Sequence, residues 1–174
     1  MKILFTGQRG FLGRELIPYL KEQGHDVITS NADYSSEFEV NQLLRNKEFD
    51  YIIHAAIRGG RRIRKDTTDD FYNNIRMFEI LASTRIPMIT FCSGAAYGRE
   101  GDIYNATEDR VGKRIPTDYY GFAKSLITQR ARYLTHVQIL RFFNVFGPTS
   151  QKDMFTSANI RNYINKKEII VFQD

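Results

Sequence analysis

The chain has 174 residues, 42% of them hydrophobic, a formal net charge of +5 and one cysteine, Cys92. This suits one domain or slightly more with a globular core. It excludes a membrane span, because no run of about 18 apolar residues occurs, and an internal disulfide, so a cytoplasmic, reducing compartment is expected. Glycines and charges interrupt the N-terminus by Gly7 and Arg9, so it lacks a signal-peptide pattern. The three histidines, His25, His54 and His136, are scattered and no metal-ligand spacing appears.

In chain order, short apolar runs alternate with amphipathic stretches. Strands are predicted at Lys2–Thr6, Asp26–Thr29, Tyr51–Ala55, Met88–Cys92, Val137–Phe142 and Ile169–Phe172. Helices are predicted at Phe11–Gln23, Glu37–Lys47, Thr68–Ser83, Asp118–Thr135 and Thr156–Asn165. The strand runs show little polar alternation, as expected when both faces of a sheet are covered. Six strands alternating with helices predict an α/β fold with a doubly wound parallel sheet, a Rossmann fold. Pro18 should kink the first helix, and Gly24 should end it. The stretch from Gly98 to Thr117 lacks periodicity and reads as a long, functional loop.

The first strand runs into Gly7-Gln8-Arg9-Gly10-Phe11-Leu12-Gly13 and then a helix. A strand, a glycine turn and a helix N-terminus make a phosphate-binding corner: the glycines permit close backbone approach, and the helix end offers N–H donors and a positive dipole. Farther along, Tyr120 and Lys124 stand four apart, so a helix puts phenol and ammonium on one face. A nearby cation favours tyrosinate, giving an acid/base able to exchange a proton with a sugar hydroxyl while hydride moves at the same carbon. Ser93 and Asn144 fall at the carboxyl ends of the fourth and fifth strands, where such sheets bind ligands. Arg58, Arg61, Arg62, Arg64 and Lys65 form a basic cluster. It reads as a solvated loop, as a phosphate-contacting loop for a charged substrate, or as a nucleic-acid patch. Nothing interleaved and aromatic supports the last, so no nucleic-acid partner is expected.

Taken in order, the glycine loop, His54-Ala55-Ala56, Asn73-Asn74, Ser93 before Tyr97-Gly98, Tyr120/Lys124 and the run from Arg141 to Pro148 resemble the extended short-chain dehydrogenase/reductase family. More narrowly they resemble its NAD(P)-dependent nucleotide-sugar epimerase/dehydratase group, over nearly the whole chain. The resemblance implies a catalytic set of Ser93, Tyr120 and Lys124. It implies cofactor contacts from Gly7, Gly10 and Gly13, with Phe11 and Leu12 in the same turn, and from Ala55, Ala56, Asn73, Tyr120, Lys124 and Phe143. Ser93 and Asn144 would touch a nucleotide-sugar substrate. It further suggests a homodimer packed through the helices bearing Tyr120 and Thr68–Ser83.

NAD-specific members usually carry an acidic residue at the end of the second strand; Asn31 stands there, and Arg9 in the glycine loop could meet a 2′-phosphate. NADP is therefore expected, with NAD the alternative. Where the resembling dehydratases carry an Asp-Glu pair, this chain has Gly94 and Ala95, which cannot move protons. The fucose-type epimerase-reductases have a cysteine where Ala95 stands. What remains is hydride transfer at one carbinol, either 4-epimerisation or reduction of a 4-keto sugar. A non-catalytic dinucleotide-binding regulator or scaffold of the same fold is the other reading. Residues 1–174 would be the NAD(P)-binding Rossmann domain, with the C-terminal substrate lobe truncated.

Overall fold

The computed structural model describes residues 1–60, 64–98, 100–101, 103–150, 152 and 154–169. Five strands, β1 (Lys2–Thr6), β2 (Asp26–Thr29), β3 (Tyr51–His54), β4 (Met88–Ser93) and β5 (Val137–Phe142), form one sheet in the order β2-β1-β3-β4-β5. Every pairing is parallel. The helices are α1 (Phe11–Glu22), α2 (Glu37–Leu44), α3 (Thr68–Ser83), α4 (Tyr119–Ala131) and α5 (Phe155–Ile164). Of the sixth expected strand, Ile169 lies outside any strand and residues 170–172 lie outside the described residues.

The two faces of the sheet explain why its strands are apolar throughout. Leu4, Ile52 and Met88 point to one side, against Val40 of α2, Phe78 and Leu81 of α3 and Ile127 of α4. Ile3, Phe5, Ile53 and Phe91 point to the other, against Leu12, Leu16, Ile17 and Leu20 of α1. Alternate strand residues face opposite ways, so both members of each pair are needed. Each side chain buried outright, such as Phe5, Phe78 or Leu81, contributes about 1.5–3 kcal/mol.

Local signals set the helix limits. The expected glycine stop of α1 is a Schellman motif: Gly24 takes φ 80° after Gln23, its N–H reaches Lys21 O, and the His25 N–H reaches Leu20 O. Pro18 lies inside α1, which continues past it to Glu22. Thr67 and Asp70 form a reciprocal capping box at α3. Asp118 caps α4 through the Gly121 N–H at 2.8 Å, and that helix stops at Ala131, short of the expected Thr135. α2 likewise stops at Leu44, where Arg45 turns extended at ψ 126° and Asn46 follows at φ 59°.

The expected loop between Gly98 and Thr117 contains one 3-10 turn, Glu108–Arg110, and a buried Val111. Arg141 of β5 anchors it: its guanidinium meets Glu108 at 2.5 Å and lies 5.0 Å from the centroid of the Tyr97 ring. The Arg141 hydrogen bond in turn holds the Glu108 carboxyl below its usual range.

Candidate active site

Strand order reverses between β1 and β3, and the crevice above such a switch point is where open parallel sheets bind ligands. Two clefts lie along that carboxyl edge. The first, of about 600 Å³, is lined by Gly7, Gln8, Arg9 and Gly10 after β1, Ser30 to Tyr34 after β2, and Ala55 to Arg58 after β3, with Met77.

Its floor is backbone. Gly7 takes φ 79°, and a Cβ there would stand 2.6 Å from Ala55 C and Ala56 N, so only glycine lets the turn lie against the end of β3. A Cβ on Gly13 would meet Gly7 O and Gln8 Cα at 2.6 Å, so this residue seats α1 against the turn. Gly10 is the N-cap of α1 and brings no side-chain acceptor, so the first N–H groups of the helix are left without one. An uncapped helix start beside a tight glycine turn is the donor set a pyrophosphate requires.

Beneath the strand ends lies a buried hydroxyl–imidazole pair. Thr6 Oγ1 is 2.9 Å from His54 Nδ1 and accepts from the Ala56 N–H at 3.1 Å. Burial pushes the His54 imidazole down to about 3, with the nearby Lys124 charge adding to it, so the ring is neutral at physiological pH.

The second cleft, of about 910 Å³, is lined by Ser93 at the end of β4 with Gly94 and Ala95 beyond it, Thr117 to Tyr120 at the start of α4, Phe143 and Asn144 beyond β5, and Gly60 and Arg64 to Asp66 before α3. Ser93 and Tyr120 thus share a cleft although 27 residues separate them. The α4 backbone comes close enough for this because Gly121 has no Cβ: one would stand 2.6 Å from Ala95 O.

Lys124, one turn on from Tyr120, places Nζ 5.8 Å from the Tyr120 ring centroid and donates to Phe91 O at 2.6 Å. Its burial lowers the ammonium to about 8. Ser93 Oγ accepts from the Ala95 N–H at 3.2 Å, the local bond of a strand-terminating serine, which leaves its proton for another acceptor. Phe143 stacks on Tyr97 with centroids 6.5 Å apart.

Several expected residues sit elsewhere. The Asn73 carboxamide folds back onto its own helix, donating to Asp69 O at 2.7 Å, and Asn73 does not line the first cleft. Its neighbour Asn74 is buried and grips both backbone groups of Arg58, at 2.8 Å each. Asn74 was legible: buried Asp70, Asn74, Met77, Phe78 and Leu81 follow helical spacing, and Asn73 does not. Phe11 and Leu12 do not line the cleft either; Leu12 packs into the core, and their contribution to the turn is backbone.

Asn31 does line the cleft, and its Oδ1 accepts from Gln8 Nε2 at 3.2 Å. Sequence reasoning gave Gln8 no role of its own, read Arg58 only as part of the basic cluster, and missed Asp33. The Asp33 carboxylate faces this cleft, but it already accepts from Ser35 N and Oγ and pairs with Arg58 at 3.2 Å. These bonds, those to Ser35 first, hold its pKa below the usual range. The basic cluster divides. Arg58 meets Asp33, Arg64 meets Asp70 at the α3 cap, and Lys65 lines the second cleft, while Arg61 and Arg62 lie outside the described residues. Among the described residues no group of His, Cys, Asp and Glu could hold a metal, and no helix is long and apolar enough to cross a membrane.

Comparison with known proteins places this geometry. The model of the NAD dependent epimerase/dehydratase family matches residues 3–174. A UDP-glucose 4-epimerase of Corynebacterium glutamicum is 27% identical over 173 residues, taking in 84% of this chain and 52% of that protein. Among solved structures, the UDP-glucose 4-epimerase of Thermotoga maritima with UDP-glucose superposes with a TM-score of 0.82 at 21% identity, over 100% of this chain and 66% of that one. A GDP-L-fucose synthetase from Naegleria fowleri bound to NADP gives 0.76 at 16% identity, over 99% and 61%. The two solved structures bear on the fold alone. The chain spans between 52% and 66% of the length of these three relatives. With the matched family model extending from the first strand to Asp174, the chain belongs to the NAD-dependent epimerase/dehydratase family.

Proposed function

We propose that this chain is the dinucleotide-binding part of an enzyme that moves hydride at a carbinol of a nucleotide-activated sugar, either as a 4-epimerase or as a 4-keto reductase. The observation that carries this reading is the gathering of Tyr120 and Ser93 in one cleft at the carboxyl edge of the sheet, with Lys124 Nζ 5.8 Å from the phenol ring. A bound nicotinamide would supply or receive the hydride. The work of the chain is to hold the sugar and to move its proton.

In this reading Tyr120 exchanges a proton with the sugar hydroxyl. Lys124 supplies the adjacent positive charge that favours tyrosinate and bonds the nicotinamide ribose. Ser93 orients the reacting oxygen, Asn144 touches the sugar nucleotide, and Phe143 flanks the nicotinamide side. Gly7, Gly10 and Gly13 shape the pyrophosphate seat, and Ala55 and Ala56 border the ribose.

NADP is assigned over NAD because Asn31 brings no charge, Arg9 lines the cleft, and the facing carboxylate of Asp33 is already occupied by Ser35 and Arg58. Loss of water from the sugar is left out, because Gly94 and Ala95 carry no proton-moving group. The α3–α4 face, with Tyr72 and Tyr119 exposed, is assigned to pairing with a second copy.

The test is NADPH oxidation against a panel of 4-keto nucleotide sugars, together with interconversion of 4-epimers. Tyr120→Phe is expected to abolish turnover and leave NADPH affinity within a few-fold; retained turnover would refute the role assigned to the phenol.

A further inference from the structure

We infer that the Gly59–Gly60 turn is a backbone stop that positions the Tyr120 ring, with Asp66 as the residue that holds the stop in place. The inference rests on the reading of Tyr120 as the acid/base. Between β3 and α3 the chain is pinned at three atoms. The buried Asn74 carboxamide holds both the N–H and the carbonyl of Arg58 at 2.8 Å. Two residues on, the Gly60 N–H donates to Asp66 Oδ1 at 2.7 Å.

Between these anchors Gly59 and Gly60 take φ 76° and 71°, the left-handed region where a side chain is strained. Space closes the position further: a Cβ on Gly60 would stand 2.8 Å from Tyr120 Cδ2 and Cε2 and 3.5 Å from Cζ. The α-carbon of residue 60 therefore lies directly against the edge of the phenol ring.

A half-buried tyrosine near the start of a helix ordinarily has rotamers to choose from. Here one side of the ring meets a backbone that is itself held, and Lys124 Nζ lies 5.8 Å from the ring centroid. The hydroxyl direction is thus set by the turn. Gly60, Asp66 and Tyr120 all line the same cleft, so the stop works where the proton must be delivered. Misplacing a reacting group by about 1 Å can cost on the order of a hundredfold in rate.

The experiment compares purified variants with the 4-keto nucleotide sugar that the wild type turns over. Gly60→Ala is expected to lower kcat about tenfold or more with NADPH Kd within about threefold, and to raise the solvent deuterium isotope effect on kcat as proton transfer becomes limiting. Gly24→Ala imposes a similar backbone strain at φ 80° with nothing within 4 Å, and is expected to keep the wild-type kcat.

Asp66→Ala removes the acceptor for the Gly60 N–H and is expected to lower kcat too, while Asp66→Asn, which keeps an oxygen there, recovers most of it. This pair decides the matter if Gly60→Ala does not fold. The inference is overturned if Gly60→Ala or Asp66→Ala keeps kcat within about twofold, or if Gly24→Ala matches the fall. Should Tyr120→Phe turn over like the wild type, the functional reading itself has failed and the inference falls with it. An inactive Tyr120→Phe beside a fully active Gly60→Ala overturns the inference alone.

Discussion

The two clefts on the carboxyl edge of the sheet are built from different materials. The first has a floor of backbone: a glycine turn, the uncapped start of α1 and the ends of β1 and β3. The second sets side chains, a phenol, a hydroxyl, cations and an amide, brought by segments that follow three different strands, beside the backbone of Gly60. Backbone seats are fixed by what cannot fit, so their specification is local and steric. Side-chain constellations are fixed by long-range packing, so each member depends on a separate scaffold.

The sharpest way to break the comparison is to give the first cleft a side chain. Gly7→Ala forces a Cβ to 2.6 Å from the Ala55–Ala56 backbone at φ 79°. We expect about 3 kcal/mol or more of lost stability and at least about tenfold weaker NADPH binding, read by chemical denaturation and fluorescence titration. Wild-type affinity in this variant would show that the first cleft is not a backbone seat.

His54 lies beneath the two regions and offers the next test. Its pKa in the folded chain, about 3, is below the unfolded value of about 6.5. The unfolded chain therefore binds the extra proton between those values. The stabilisation is complete above about pH 6.5 and is lost as pH falls through the window toward 3. Unfolding free energies from urea titration should fall between pH 7 and pH 4 by on the order of a few kcal/mol more in the wild type than in His54→Gln; equal falls would mean that the imidazole is hydrated.

The smallest effects separate two adjacent amides. Asn74→Ala strips both partners from the Arg58 backbone, costing about 1–3 kcal/mol. Asn73→Ala removes only a bond to its own helix and should stay within about 0.5 kcal/mol. The reverse ranking, measured by thermal unfolding, would show that the Asn74 bonds do not hold the Arg58 backbone in place.

These cases also show what the sequence could and could not convey. The limits of β1, β2, β5 and α3 match the expected ones, and α1, β3 and β4 differ by one residue. Apolar runs, capping residues and Gly24 act on their own neighbourhood and are written in consecutive positions. The glycine loop and the Tyr120–Lys124 spacing were legible for the same reason. Asn73 and the buried Asn74 part ways because a one-residue step along a helix rotates a side chain by about 100°, which a motif match ignores and the burial pattern of α3 does not.

The Asp33–Arg58 and Glu108–Arg141 pairs join positions 25 and 33 residues apart, and no local rule selects such partners. The place of Gly60 against Tyr120 is illegible for the same reason, since neither residue marks the other along the chain.

Lys124 shows what such burial accomplishes in advance. Its half-buried ammonium, lowered to about 8 by desolvation, is aimed by a 2.6 Å bond to Phe91 O while the protein folds. Under the proposed function, an oxygen arriving from outside would meet a donor already partly desolvated, and would only have to share or replace a carbonyl. The reorganisation that a solvated amine would undergo at each encounter is completed once, during the chain's own collapse.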